Sequence, residues 1–409
     1  MKKKLLIIGF VWPEPKSSAA GSRMMQLISF FQSQDYTITF ASACAKSDNA
    51  FDLESIGVNR VTIELNHSSF DDFILKLKPD VVLFDRFMTE EQFGWRVSDH
   101  CPLAIKLLDT EDLHFLRRAR QQAFKAATEI TETHLLNDTA KREIASIYRC
   151  DLSLIISKAE MQLLKTTFKI DEALLLYLPF LIDEVSEEQR QALPDFESRQ
   201  HFISIGNFLH EPNYDALLHL KTTIWKGIRK QLPKAQLHNY GAYASQKVAQ
   251  LHNEKEGFLI KGFANDVNEV MQQAKVLLAP IRFGAGLKGK LFDAMQNGTP
   301  FVSTSVGVEG IIDEGSQDFI CDTTEDFIHH TVRLYQNETL WKAQQSSGFE
   351  ILSSQFSKSV FESQFAERLE LVSKDLRSHR AQNFIGQLLQ HHTMQSTKFM
   401  SKWIEAKHS

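Results

Sequence analysis

The sequence predicts an α/β protein made of two tandem, doubly wound, Rossmann-like domains with a cleft between them and a helical C-terminal extension. Three observations predict this. Short apolar runs alternate with longer amphipathic stretches from the first residue onward, as in parallel strands joined by crossover helices. The runs are nearly continuous in apolar residues, as strands buried on both faces must be. The pattern stops over an acidic stretch interrupted by Pro194 and then restarts, and 409 residues exceed one ordinary core. The organisation expected is a first domain over 1–182, a connector over 183–200, a second domain over 201–355, and helices over 356–409 that pack back on the domains.

In the first domain the strands are expected at KKLLIIGF, YTITFAS, RVTIEL, DVVLFDR, LAIKLLD and LSLIIS. Between them lie helical stretches such as SRMMQLISFFQSQ and FDDFILKLK, and a long one from LHFLRRAR to EIASIYR. The opening MKKKLLIIGFVWPEP imitates a secretory leader, but Pro13 and Pro15 follow after only eight apolar or small residues, so it reads as a first buried strand. The second domain repeats the alternation with HFISIGNF, AQLHNYG, GFLIKGF, KVLLAPI and PFVSTS. The last segment is helical in pattern and ends in FMSKWIEAKHS, too short an apolar run to separate core packing from a membrane or partner face.

Bulk composition narrows the function. A net charge of −5 argues against a surface adapted throughout to nucleic acid, and FLRRAR lacks the interleaved aromatics of single-strand binders. Four scattered cysteines without a C-x-x-C pair fit reduced thiols in the cytoplasm. No stretch approaches a spanning helix, so membrane contact would be peripheral. His329–His330 and His391–His392 are adjacent pairs that point about 100° apart on a helix, poor geometry for one metal, and no metal site is expected.

The chemistry concentrates in PIRFGAGLKGKLFDAMQNGTP. Gly284, Gly286 and Gly289 spell G-x-G-x-x-G, while Gly284, Gly289 and Lys290 spell a Walker A loop with Leu291 where its hydroxyl belongs. For a dinucleotide site, Glu309 supplies an acid about 20 residues on, yet the turn follows the fourth strand of its domain. Common to both readings is a glycine turn at a helix N-terminus, which favours an anion. Lys288 and Lys290 offer cations for phosphate, and Asp293 lies about one helical turn inside the helix.

The run VLLAPIRFGAGLKGKLFDAMQNGTPFVSTSVGVEGI resembles the donor-binding segment of family 4 glycosyltransferases (glycosyl transferases group 1) of the GT-B fold. FISIGNFLHEPNYDAL, GFANDVNEVMQQA and LLDTEDLHFLRRAR extend the resemblance. It implies transfer of a hexose-type sugar from a nucleotide-sugar to a glycan, a lipid-linked group or another acceptor, retaining, with no metal or other cofactor required. By the same resemblance the donor site takes Gly206, Asn207, Gly284, Gly286, Leu287, Lys288, Lys290 and Asp293, with Asp293 on the ribose. Ala285 departs from the family's E-x7-E acid, and the family's Arg and Lys are absent from the loop Gly206 to His210, which makes Lys288 the group for the leaving diphosphate.

In the first domain Asp109, Asp112, His114 and Arg117 cluster after a strand, with Asp112 and His114 as catalytic candidates. His114 reads equally as a satisfied buried histidine. Gly21 and Arg23 after the first strand are expected to approach donor or acceptor, against the reading of a plain mobile loop. Two alternatives stay open: an NAD-dependent oxidoreductase, and a catalytically degenerate GT-B module that binds nucleotide-sugar or protein, which Ala285 keeps in play.

Overall fold

A computed structural model describes residues 2–312 and 320–408, with the side chains of 392–395, and so His392, outside that description. The first sheet contains β1 (Lys4–Gly9), β2 (Thr37–Ser42), β3 (Asn59–Thr62), β4 (Val81–Asp85), β5 (Ile105–Asp109), β6 (Leu152–Ile155) and β7 (Leu175–Tyr177). Their spatial order is β3-β2-β1-β4-β5-β6-β7, all parallel. The second sheet contains β8 (His201–Ile205), β9 (Leu237–Tyr240), β10 (Phe258–Gly262), β11 (Ala274–Ala279) and β12 (Phe301–Ser303) in the parallel order β10-β9-β8-β11-β12. The winding reverses between β1 and β4, and again between β8 and β11, so each sheet opens a crevice at the carboxyl ends of those strands.

Every strand expected from the sequence forms, and β7 is an addition. Its three residues sit inside the uniform apolar run ALLLYLPFLI, where periodicity marks neither a start nor a stop. Each sheet is covered on both faces, as the fully buried β4, β5, β6, β11 and β12 require, while the edge strand β3 is largely exposed. Phe70, Phe93 and Leu116 close one side of the first sheet, and Leu27, Phe30 and Phe31 close the other.

The two domains are joined by two neighbouring passages of chain. Ile182 donates to the Phe356 carbonyl at 3.0 Å and accepts from Lys358 at 2.9 Å, so the outgoing connector and the returning tail run side by side. Helix Glu338–Gln355 stays on the second domain, burying Trp341, Phe349 and Leu352. Helix Lys358–Lys374 returns to the first, where buried Phe365 stacks on Phe30 with centroids 4.5 Å apart. Helices Leu376–Gln382 and Phe384–His408 continue along the first domain. They are fastened by Arg380 on both oxygens of Asp151, each at 2.7 Å, and by the Asn383 amide on the Tyr148 carbonyl at 2.7 Å. Among the described residues no helix is long and apolar enough to cross a membrane.

Candidate functional site

The glycine turn lies between β11 and helix Gly289–Gln296 and faces the first domain. Gly286 has φ +64°, and a Cβ on it would stand 2.8 Å from the Asp112 Cβ, so the position needs a glycine for its conformation and for domain contact alike. Three consecutive residues of the turn are held from across the cleft. The Gly284 carbonyl accepts from Arg120 Nη1 at 2.9 Å, and Arg120 also makes a bidentate pair with Glu309 at 2.6 and 2.7 Å. Ala285 is buried in the apolar cluster of the first domain, to which Leu113 and Leu116 also belong. Gly286 N–H donates to Glu160 Oε1 at 2.9 Å, and the same oxygen accepts from Leu113 N–H at 2.9 Å.

Glu160 is fully buried, and its Oε2 has no hydrogen-bond partner. Burial, reinforced by the charge of Asp112, pushes its pKa up to about 7 against the pull of the two N–H donors and Lys288. The folded state therefore holds this proton more tightly than the unfolded chain. The contribution to stability is full below the ordinary carboxyl range and is lost as pH rises through about 7. Glu160→Gln cannot ionise and should remove this share of the decline, which urea unfolding at about pH 5 and about pH 8 would measure.

The cations of the turn occupy two positions. Lys288 Nζ donates to the carbonyls of Ala285 at 3.2 Å and Gly286 at 2.7 Å. Burial lowers its pKa to about 8, with Glu309 opposing and Arg120 assisting that shift. Lys290 Nζ donates to Asn213 Oδ1 at 2.9 Å and is likewise lowered to about 8 by burial, opposed by Asp293. Asp293 is raised to about 7 by burial, against the charge of Lys290. Its carboxylate accepts no hydrogen bond from the described residues and keeps some solvent exposure. A Cβ on Gly206 would come within 2.7 Å of Asn213 and 2.9 Å of Lys290 Nζ, so glycine at the end of β8 lets that ammonium approach.

On the first domain, Asp112 binds Arg117 at 2.7 Å, and its Oδ1 lies 3.3 Å from His114 Nε2. Arg117 and His114 hold the Asp112 carboxyl below the usual range despite its burial. His114 is buried, with its ring edge-on to Phe87, and burial drives its pKa to about 3. At neutral pH it is an uncharged imidazole that can hold Asp112 but carries no charge of its own. His210 is exposed by area, yet the protein facing it across the cleft and the charge of Arg117 lower its pKa to about 4.

The structure thus brings together Asp112, His114, Gly284, Gly286, Lys288, Lys290, Asp293 and Gly206. Four of the expected residues have partners of their own. Arg23 is 1% exposed and is locked to buried Asp109, with Nε at 2.9 Å and Nη2 at 2.8 Å, so it is a structural ion pair rather than an anion contact. Gly21 packs against its own loop, since a Cβ there would lie 2.4 Å from the Glu14 backbone. Leu287 is buried in an apolar cluster of second-domain residues that also includes Ile156 and Phe180 of the first. The Asn207 side chain accepts from Leu209 N–H at 2.9 Å and so serves its own turn. Glu309, the acid of the dinucleotide reading, is occupied by Arg120.

Glu160, Glu143 and Arg120 went unnoticed in the sequence. Buried Glu143 accepts from the backbone N–H groups of His114 and Phe115 at 3.1 and 3.0 Å, fixing the start of the helix that carries Arg120. Both glutamates sit on the buried faces of amphipathic helices, four residues before Leu164 and Ile147 respectively. A carboxylate at an apolar helical position is the signal that could have found them.

Comparison with known proteins agrees with this geometry. Residues 199–337 match the family model described as glycosyl transferases group 1. No curated protein matches the chain. Among solved structures, sucrose-phosphate synthase from Thermosynechococcus elongatus is similar at 13% identity and TM-score 0.67, over 91% of this chain and 99% of that one. Anabaena HepE in complex with UDP and glucose is similar at 12% identity and TM-score 0.66, over 90% and 99%. The S. aureus TarM G117R mutant, in complex with Fondaparinux, alpha-GlcNAc-glycerol and UDP, matches at 14% identity and TM-score 0.56, over 73% of this chain. The match spans 57% of the TarM mutant's own length. At these identities the likeness concerns the fold. With two doubly wound domains facing across a cleft, this chain has the GT-B fold of these glycosyltransferases, and its second domain matches glycosyl transferases group 1 over residues 199–337.

Proposed function

We propose that this glycosyltransferase takes its sugar from a nucleoside diphosphate sugar held by the second domain and passes it, with retention and without a bound metal, to a glycan or lipid-linked acceptor on the first. The observation that carries this reading is the constellation of Lys288, Lys290 and Asp293 on a glycine turn at a helix N-terminus. A departing nucleoside diphosphate develops negative charge, and preorganised N–H donors with two ammonium groups can stabilise it. Lys288 spends two of its three donors on the turn, which leaves one for a phosphate oxygen. Asp293, about one turn further, has acceptor capacity for ribose hydroxyls.

The HepE and TarM complexes with UDP support this donor class. Retention rests on the family resemblance and is tested by the anomeric configuration of the product. The four unpaired thiols support a reducing, cytoplasmic setting.

One observation favours a second reading, a module that binds without turnover. Ala285 puts a methyl where the family has an acid, and that methyl is already buried against the first domain. Detectable transfer or donor hydrolysis separates the two. Thermal shifts with UDP, GDP, ADP and NAD, with and without magnesium, identify the nucleotide by mass action. A metal-independent shift with one nucleoside diphosphate is the expected result, and a response to NAD alone would overturn the reading. Asp293→Ala should weaken nucleoside diphosphate binding about tenfold, as loss of a hydrogen bond to a carboxylate does. Unchanged affinity in folded variant would remove Asp293 from the site.

A further inference from the structure

We propose that the outward face of helix Phe384–His408 is a docking surface for an anionic membrane. In an ordinary surface helix the apolar stripe faces the core and the polar side faces water. Here the inward side is fastened by polar contacts, and the outward side carries apolar residues at both ends of the helix. Inward, the Gln390 amide donates to the Arg149 carbonyl at 3.0 Å, Ser401 lies 3.2 Å from Asn66 Oδ1, and Glu405 binds buried Arg96 at 2.9 Å. Outward stand Phe384, Ile385, Leu388, Phe399, Met400 and Trp403, with Phe384 72% and Trp403 59% exposed.

Charge selects the occupant. The one acidic residue of the helix, Glu405, faces inward to Arg96. The exposed charged side chains flanking the apolar face are Lys402 and Lys407, and Lys407 stands 5.1 Å over the Trp403 ring. Lys398, half-buried, is engaged with Asp99 at 2.7 Å. Tryptophan beside lysine among exposed apolar side chains is the pattern of a helix lying in a headgroup layer with anionic lipid.

The position of the helix gives this docking a consequence, which rests on the acceptor side of the proposed function. Asn66, bonded to Ser401, follows Leu65, which lines a cavity of ≈ 150 Å³ with Gly9, Phe10, Cys44 and Phe93 at the carboxyl ends of β1 and β2. Leu65 and Phe10 are 48% and 42% exposed. A lipid-anchored acceptor in the bilayer would meet an apolar-lined opening beside the docked helix.

The experiment uses the full chain with vesicles of phosphatidylcholine alone or containing phosphatidylglycerol, read by co-flotation, alongside sedimentation to fix the oligomeric state. Binding to the anionic vesicles only, weakened by salt, is expected. Phe399→Ser with Trp403→Ser should reduce it by more than about tenfold, and Lys402→Glu with Lys407→Glu should weaken it too, with melting temperature and nucleotide response unchanged. These side chains are exposed, so the variants are expected to fold. Failure of wild-type protein to bind anionic vesicles overturns the proposal. So does a wild-type dimer that the serine pair turns into a monomer, which would assign the face to a second copy of this chain. A chain that floats but ignores every nucleotide would leave the docking surface standing and overturn the donor reading.

Discussion

Lys288→Met should lower kcat/KM for sugar transfer by about 10²–10³-fold, the loss typical of removing one preorganised donor from a developing oxyanion. The ammonium sits at the glycine turn where the diphosphate charge would grow, with its geometry already fixed by two carbonyls. Because burial lowers its pKa to about 8, the wild-type activity should fall as pH rises through that value. Above it the lysine is neutral and offers a dipole where the leaving group needs a charge. Lys288→Arg keeps the charge to higher pH, so its alkaline limb should move upward even if its rate is lower. Lys290 titrates in the same range, so some alkaline loss should persist in Lys288→Met. A Lys288→Met enzyme with unaltered kcat/KM would show that the leaving group is stabilised elsewhere.

The fold and the strand–turn–helix passage that carries the candidate donor residues were legible in the sequence for the same reason. Both are local: a buried parallel strand is a continuous apolar run, and Gly284 to Asp293 fall within ten residues on a single strand–turn–helix passage. What the sequence concealed is contact between distant segments. Nothing near Gly286 announces that its N–H will meet Glu160, and nothing near Gly284 points to Arg120. The same blindness explains Arg23. An arginine after a first strand and a glycine is an open anion contact by local pattern, but Asp109 arrives beside it from the end of β5 and claims it. Leu287 is the converse case, since its side chain is buried in an apolar cluster that also takes in Ile156 and Phe180 of the first domain.

Arg23→Met should destabilise the first domain by about 3–5 kcal/mol, because it leaves Asp109 buried without a partner. Asp109 is 0% exposed and receives Arg23 through Nε at 2.9 and 3.1 Å and through Nη2 at 2.8 Å. Nη1 continues to the carbonyls of Leu178 at 2.8 Å and Pro179 at 3.2 Å, on the segment leading from β7 to the connector. One guanidinium therefore ties helix Ala19–Ser33, the carboxyl end of β5 and the approach to the interdomain passage. For a domain of this size the loss corresponds to a fall of about 10 °C in melting temperature. Adding Asp109→Leu to Arg23→Met should recover much of it, since an apolar pair replaces the ionic one. Recovery of stability without recovery of transfer would mean that the pair also sets the loop carrying Asp112, three residues beyond Asp109. No recovery would mean that the carbonyls of Leu178 and Pro179, rather than the stranded carboxylate, account for the cost.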